Sequence, residues 1–331
     1  MSTLAEPRTE SSVRASLHRI PVQLWVAYGL TVACVVLLGL TTTTGFDPDR
    51  MLRILSNAAP LGVVAIAQTL VIINRGIDLS VGAVMNTAGI LTAVLSARSG
   101  ANLTTTILVV LAVGAALGTV NAVLLAFTSV PPLLGTLATA TVIQGVYFLI
   151  TRGQPRGTIP DALRDVADGR VGSTPLSGSL VVWLVLLVLV GVILSSTVAG
   201  RRFQAVGANR RASWLSGVSV RSHTFVTYVA SGMLSAAAGI LLIAYSGSPS
   251  LTAADSYALT SVVAAVIGGA ALTGGTGSMA GTFAGVAVLA FLGTVLGSFN
   301  IPPPVQLVVN GLVLIGMLFL NSRIDARRRR T

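Results

Sequence analysis

The residue best placed to do chemistry in this chain is Asp78. It sits in Arg75-Gly76-Ile77-Asp78-Leu79-Ser80-Val81-Gly82, between two long apolar runs of a sequence almost free of internal charge. A charged side chain at mid-bilayer depth costs roughly 2.5–3.5 kcal/mol on insertion scales. Such a residue lies at a membrane surface, caps a helix, or faces a polar path. An acid at a helix N-terminus satisfies free N–H groups and suits the helix dipole, so Asp78 or Ser80 is a candidate cap for the apolar run that follows. A second reading, compatible with the first, makes Gly76, Asp78, Ser80 and Gly82 part of a gate or of a contact with a cytoplasmic partner.

Other reactive side chains are scarce. All 21 basic residues are arginines. Without lysine there is no Walker A loop and no Schiff base. Cys34 stands alone, which excludes an internal disulfide and a multi-cysteine metal site. His18 and His223 lie near the ends of apolar runs, away from any partner for catalysis or metal binding. An intramembrane enzyme needs a nucleophile and base, or metal ligands, facing each other, and the sequence offers neither. Inside the runs the polar residues are amides: Asn57, Gln68, Asn86, Asn121, Gln144 and Asn310. Amides commonly hydrogen-bond neighbouring helices. As a set, Asn86, Asn121, Gln144 and Asn310 also suit a path for a neutral polar solute. The absence of mid-run titratable groups leaves a secondary transporter without a proton relay.

The elements that must position these residues are membrane helices. Of 331 residues, 53% are hydrophobic and 9% charged, against about 25% charged in soluble domains. A helix spanning the bilayer core needs about 20 apolar residues. Ten stretches qualify as candidates: 21–40, 54–73, 80–97, 105–127, 131–150, 179–197, 223–244, 259–273, 279–298 and 304–320. The sequence therefore predicts an all-α polytopic bundle of about ten transmembrane helices over 21–320. The fifth stretch opens on Pro131-Pro132 and the eighth is short and glycine-rich, so both are candidates for broken or re-entrant segments. Residues 1–20 with the first run imitate a signal peptide, but the run's length and the spans that follow favour a retained anchor. The net charge of +11 is spread between apolar runs, without the basic domain that nucleic-acid binding requires.

Ten spans put both termini on one side. An inside N-terminus places 14 arginines in cytoplasmic segments and 7 outside, as the positive-inside rule favours. The 1–20 tail and the basic 321–331 tail are then cytoplasmic. So is 198–222, which is too polar to span. In that segment Phe203, Val206, Trp214, Leu215 and Val218 recur at helical spacing, and Gly207 and Gly217 punctuate it. Two short amphipathic helices are expected, lying on anionic lipid or docking into a soluble partner. Phe203, Val206, Gly207, Asn209, Leu215 and Gly217 are the candidate contacts. Glycines spaced by four, Gly281, Gly285, Gly293 and Gly297, and the pair Gly114 and Gly118, predict close helix packing. The proline breaks at 130–132 and 301–304 read as loop punctuation or as markers of a binding site.

Four segments together resemble one family. Gly76-Ile77-Asp78-Leu79-Ser80-Val81-Gly82 is similar to the hallmark of permease subunits from ribose-type monosaccharide ABC importers, within the branched-chain amino acid/ribose permease superfamily. Val130-Pro131-Pro132-Leu133-Leu134-Gly135-Thr136-Leu137 resembles their I-P-P-F-I-A-T-L segment. Ala205-Val206-Gly207-Ala208-Asn209, followed by Leu215-Ser216-Gly217-Val218, resembles their cytoplasmic coupling loop. Gly274-Gly275-Thr276-Gly277-Ser278 with Gly281-Thr282 resembles their G-G-R-G-S-x-x-G-T segment. Order and spacing agree over about residues 50–320. The chain departs from the pattern at Arg75, where the family usually has Gly, at Arg210-Arg211, in place of an acidic or mixed pair, and at Thr276, in place of a frequent Arg. The resemblance implies a multi-pass permease of the bacterial cytoplasmic (inner) membrane that works as a dimer. It implies a separate ABC ATPase subunit that binds the ATP and Mg, an extracytoplasmic sugar-binding protein, and no cofactor in this chain. Its solute would be a monosaccharide or related polyol. Branched-chain amino acids and nucleosides are the alternatives within the superfamily.

Overall fold

The computed structural model describes residues 22–41, 46–98, 102–169, 171 and 174–328. The 1–20 tail and His18 lie outside the described residues. Residues 321–328 continue the last helix, and 329–331 are not described. Every regular element described is a helix. In chain order these are α1 (Val22–Thr41), α2 (Pro48–Asn57), α3 (Ala59–Ile73), α4 (Val81–Ser96), α5 (Leu103–Phe127), α6 (Pro132–Thr151), α7 (Asp161–Asp168), α8 (Gly178–Ser196), α9 (Val198–Ala208), α10 (Arg210–Leu215), α11 (Val220–Ser246), α12 (Tyr257–Ile267), α13 (Met279–Ser298) and α14 (Pro303–Arg328).

Among the described residues, six helices are long and apolar enough to cross a membrane: α1, α5, α6, α8, α11 and α13. A seventh span results if α2 and α3 are taken together across their 53° bend. The bend falls at Pro60, which lacks the N–H that would continue the ladder of α2. The remaining three apolar stretches are also helical but shorter: α4, α12 and the 304–317 part of α14. Of the ten expected spans, six are thus full-length helices among the described residues, a seventh is the bent pair, and the other three are helices too short to pass as spans. The fifth stretch is an unbroken 20-residue helix despite its prolines, because Pro132 occupies the first turn, where no N–H is needed. The eighth stops at Ile267, where Gly269 turns the chain at φ 87°.

Apolar side chains cover both the inside and the outside. Helix α3 is buried along nearly its whole length, enclosed by α8, α11, α12 and α13. Exposed Val185 and Val188 on α8 and Leu149 and Ile150 on α6 leave a broad apolar exterior. That inversion of the soluble pattern fits lipid as the solvent, and the chain is an integral membrane protein. Small residues permit the tightest contact, between α5 and α11. A methyl at Gly118 would lie 2.4 Å from Tyr228 O, and one at Gly232 would lie 2.3 Å from Gly114 O. In the α13 stripe, Gly281 and Gly285 press against α12, whereas a methyl at Gly297 would meet nothing.

Loops gather at two ends. At one end, residues 73–76, 127–131, 197–222 and 272–278 come together, with the Arg221 guanidinium 5.9 Å from the centre of the Phe127 ring. At the other, Thr158 N donates to Ala93 O at 3.3 Å and Arg164 Nη2 to Gly247 O at 3.2 Å. Helix α7 lies on this second end with Leu163 and Ala167 turned into the fold.

Candidate functional site

The Gly76–Gly82 segment is the irregular link between α3 and α4, and it is enclosed by the bundle. Helix α3 closes with Arg75 N donating to Ile72 O and Gly76 N to Val71 O, each at 2.9 Å. This is the Schellman pattern, with Arg75 at the left-handed position, φ 63°. Gly76 leaves room for Tyr228, whose Oη would stand 2.3 Å from a methyl there. Gly82 lets the first turn of α4 approach Ala254 O.

Asp78 is 2% exposed. Its Oδ1 accepts from Ser80 N at 2.9 Å and from Ser80 Oγ at 2.6 Å. Its Oδ2 accepts from Ser231 Oγ of α11 at 2.7 Å. Ser80 Oγ accepts in turn from Asn121 Nδ2 of α5 at 2.8 Å, and Asn121 Oδ1 from Thr139 Oγ1 of α6 at 2.6 Å. Thr136, also on α6, accepts from Leu79 N at 3.1 Å. With its amide oriented to match its neighbours, Gln68 of α3 donates to Asp78 O and accepts from Asp78 N, each at 3.2 Å. The carboxylate joins α11 to the start of α4, and the network around residues 78–80 extends it to α3, α5 and α6. Ser80 is the N-cap residue of α4 but makes no side-chain cap bond; the Asp78 carboxylate takes the Ser80 N–H instead. Burial of a polar side chain is offset where its atoms find hydrogen-bond partners, as both Asp78 carboxyl oxygens do.

The 198–222 segment forms the two short helices α9 and α10. They meet at Asn209, whose side chain accepts from Ala212 N at 3.0 Å as the cap of α10. Val206 is fully buried and Phe203 half-buried, whereas Leu215 is 71% and Trp214 68% exposed. Gly217 turns the chain at φ 77° with open space beside it. The candidate contacts therefore divide: Phe203, Val206 and Gly207 hold the segment to the bundle, and Leu215 with Trp214 faces away from it. Gly207 touches backbone: a methyl there would lie 1.9 Å from Ile73 O and 2.7 Å from Gly275 N.

Three strands of backbone are joined at this point. Gly275 N donates to Ile73 O at 2.8 Å. Arg75 donates from Nε to Gly207 O and from Nη2 to Ala208 O. Arg210 donates from Nη2 to Asn74 O at 3.0 Å. Burial pushes the Arg210 guanidinium below the ordinary arginine range, and the nearby charge of Arg75 acts in the same direction. The four sequence segments singled out above, far apart in the chain, all touch residues 73–80.

The amides have different surroundings. Asn86 is buried and donates to Asp255 Oδ1 at 2.8 Å and Leu251 O at 3.0 Å, while its Oδ1 accepts from Ala254 N at 2.9 Å. It fixes the loop between α11 and α12. Asn121 belongs to the Asp78 network, and Gln144 is half-buried on α6. Asn310 lines a cavity of about 690 Å³ between α2, α12, α13 and α14, shared with Asn57, Thr260, Thr294 and Gln306. Among the described residues no cluster of His, Cys, Asp and Glu could hold a metal ion. Sequence reasoning did not single out Ser231 and Thr139. Both are hydroxyls on apolar helices, indistinguishable by type from those that merely bond their own helix.

Residues 50–318 match the sequence model of the family described as "Branched-chain amino acid transport system / permease component". The chain is 32% identical over 292 residues to the ribose import permease protein RbsC of Bacillus subtilis, covering 88% of this chain and 90% of that one. It is 34% identical over 301 residues to the autoinducer 2 import system permease protein LsrC of Klebsiella pneumoniae, covering 90% and 86%. It is 30% identical over 297 residues to RbsC of Escherichia coli K12, covering 88% and 92%. No solved structure matches. The family model runs from α2 into α14, and the relatives align over most of their length, so this chain belongs to the branched-chain amino acid transport system permease component family.

Proposed function

We propose that this chain is the membrane permease of an ATP-driven importer for a monosaccharide or related polyol. A separate ABC ATPase would bind ATP and Mg and dock on α9 and α10. A solute-binding protein would deliver the solute at the opposite end, and a second permease copy or homologue would complete the path. The observation that carries the reading is the convergence of all four segments on residues 73–80, with Trp214 and Leu215 exposed beyond them. The relatives named for ribose and autoinducer 2 import support the solute class. The lysine-free sequence requires that ATP chemistry reside in a partner. The cavity holding Asn57, Gln306 and Asn310 offers neutral amides and hydroxyls, which suit a hydroxyl-rich solute making weak contacts in passage. The arginine-rich end, which includes the 201–221 arginines, is cytoplasmic in this account.

The test of solute class is competition in vesicles holding the permease, its ATPase and its binding protein. Unlabelled pentoses and polyols should displace a transported radiolabelled monosaccharide, and leucine should not. Uptake of leucine with no uptake of any sugar would keep the mechanism and replace the solute with the branched-chain amino acids of the family description.

A further inference from the structure

Helix C-termini leave their last carbonyls without intrahelical partners. At α3, the Schellman turn uses Val71 O and Ile72 O, and Asn74 N uses Leu70 O. Ile73 O and Asn74 O remain, and they are taken by Gly275 N and by Arg210. At α9, Asn209 N takes Ala205 O. The last two carbonyls of the helix, Gly207 O and Ala208 O, are both taken by Arg75. Each helix end is therefore capped by the arginine that follows the other helix. A guanidinium suits both sites, because it carries several donors in a fixed fork and its charge complements the C-terminal dipole.

Arg75 holds its place at a conformational cost. The left-handed position of a Schellman turn favours glycine, and other L-residues lose roughly 1–2 kcal/mol there. Arg75 adopts φ 63° nonetheless, and its side chain makes two bonds that glycine lacks. Three residues beyond it stands Asp78, bonded to α11 and, through Ser80, to α5.

We propose that Arg75 and Arg210 form a reciprocal lock that makes the α9–α10 segment and the α3–α4 link move as one body. They are positioning residues, through which displacement of the segment reaches the Asp78 network. Use of this lock in transport rests on the reading that a partner moves α9 and α10; the lock itself does not.

The test uses the full chain in lipid nanodiscs and follows backbone hydrogen exchange in peptides covering 203–216 and 76–84. Arg75→Gly removes the side chain and relieves the backbone strain together. It should speed exchange at least tenfold in both peptides while leaving α12 and α13 unchanged. Arg210→Gln should do the same. The double variant should be no faster than the faster single variant, because either change opens the lock. Arg75→Lys, which keeps the charge but not the fork, should restore less than half of the protection. Unchanged exchange in both peptides would show that the lock is not formed. Faster exchange confined to 203–216, or additive effects in the double variant, would show that the two regions are not joined through these residues. A loss of protection throughout the bundle in Arg75→Gly, but not in Arg210→Gln, would reduce Arg75 to a general stabiliser and overturn the reciprocal lock. In the assembled transporter, lock variants should keep basal ATP hydrolysis and lose at least five-fold of its stimulation by loaded binding protein. Absence of any stimulation in the wild-type complex would count against the transport reading alone, since the exchange result stands apart from it.

Discussion

Asp78 and Ser231 are 153 residues apart in sequence, and their side-chain oxygens are 2.7 Å apart. The bond fastens the link between α3 and α4 to the middle of α11, and it explains why a carboxylate is tolerated inside an apolar bundle. Hydrogen bonds to a charged group contribute about 1.5–3 kcal/mol each. Ser231→Ala should therefore lower stability by an amount in that range. Asp78→Ala, which also strands Ser80, should cost more, about 3 kcal/mol or above. The pair should couple non-additively in a double-mutant cycle. Thermal unfolding followed through Cys34, the only thiol in the chain, measures all three variants. Equal stability of Asp78→Ala and wild type would remove the carboxylate from its central place.

Two amides of similar sequence context should behave differently. Asn121 is 1% exposed and holds Ser80 and Thr139, whereas Asn310 lines the cavity beside α2 and α13. Asn121→Ala should lower the unfolding temperature, because it takes a partner from the buried Ser80 hydroxyl and from the half-buried Thr139 hydroxyl. Asn310→Leu should leave unfolding unchanged within about 0.5 kcal/mol and reduce transport several-fold. The reverse pattern would place the solute path along α4, α5 and α6.

Orientation is open to direct labelling. On a Cys34→Ala background, a cysteine at the exposed Thr158 should react with an impermeant thiol reagent added outside intact cells. A cysteine replacing Trp214, 68% exposed, should react only after permeabilisation. Ser213 is a poor probe for this purpose, being 5% exposed. Labelling of Trp214→Cys in intact cells would invert the topology and detach α9 and α10 from any ATPase.

Much of the helix pattern was legible because apolar runs and proline breaks are local signals. The two helices of 198–222 followed from the spacing of Phe203, Val206, Trp214 and Leu215, and the small-residue packing of Gly114 and Gly118 from their separation by four. What composition could not register was length at the membrane. Run 80–97 is helical almost throughout, yet α4 has only 16 residues because the irregular link around Asp78 precedes it, and α12 stops at Ile267, short of the end of run 259–273, where Gly269 turns the chain. Asp78 itself read as a surface cap or gate. Its burial depends on Ser231 and Gln68, and through Ser80 on Asn121, which come from three helices and leave no trace in local sequence. Arg75 and Arg210 read as departures from a family pattern. Only the fold shows that each caps the helix preceding the other.

In the proposed function this chain transports nothing by itself and is driven by ATP hydrolysis in a partner. Proteoliposomes holding the chain alone, with an imposed proton or sodium gradient, are compared with proteoliposomes that also hold the ATPase subunit, the binding protein and ATP, and accumulation of a radiolabelled monosaccharide is followed in both. The account predicts no accumulation in the first and uptake against a concentration gradient in the second, abolished when a non-hydrolysable nucleotide replaces ATP. Gradient-driven accumulation by the isolated chain would contradict it.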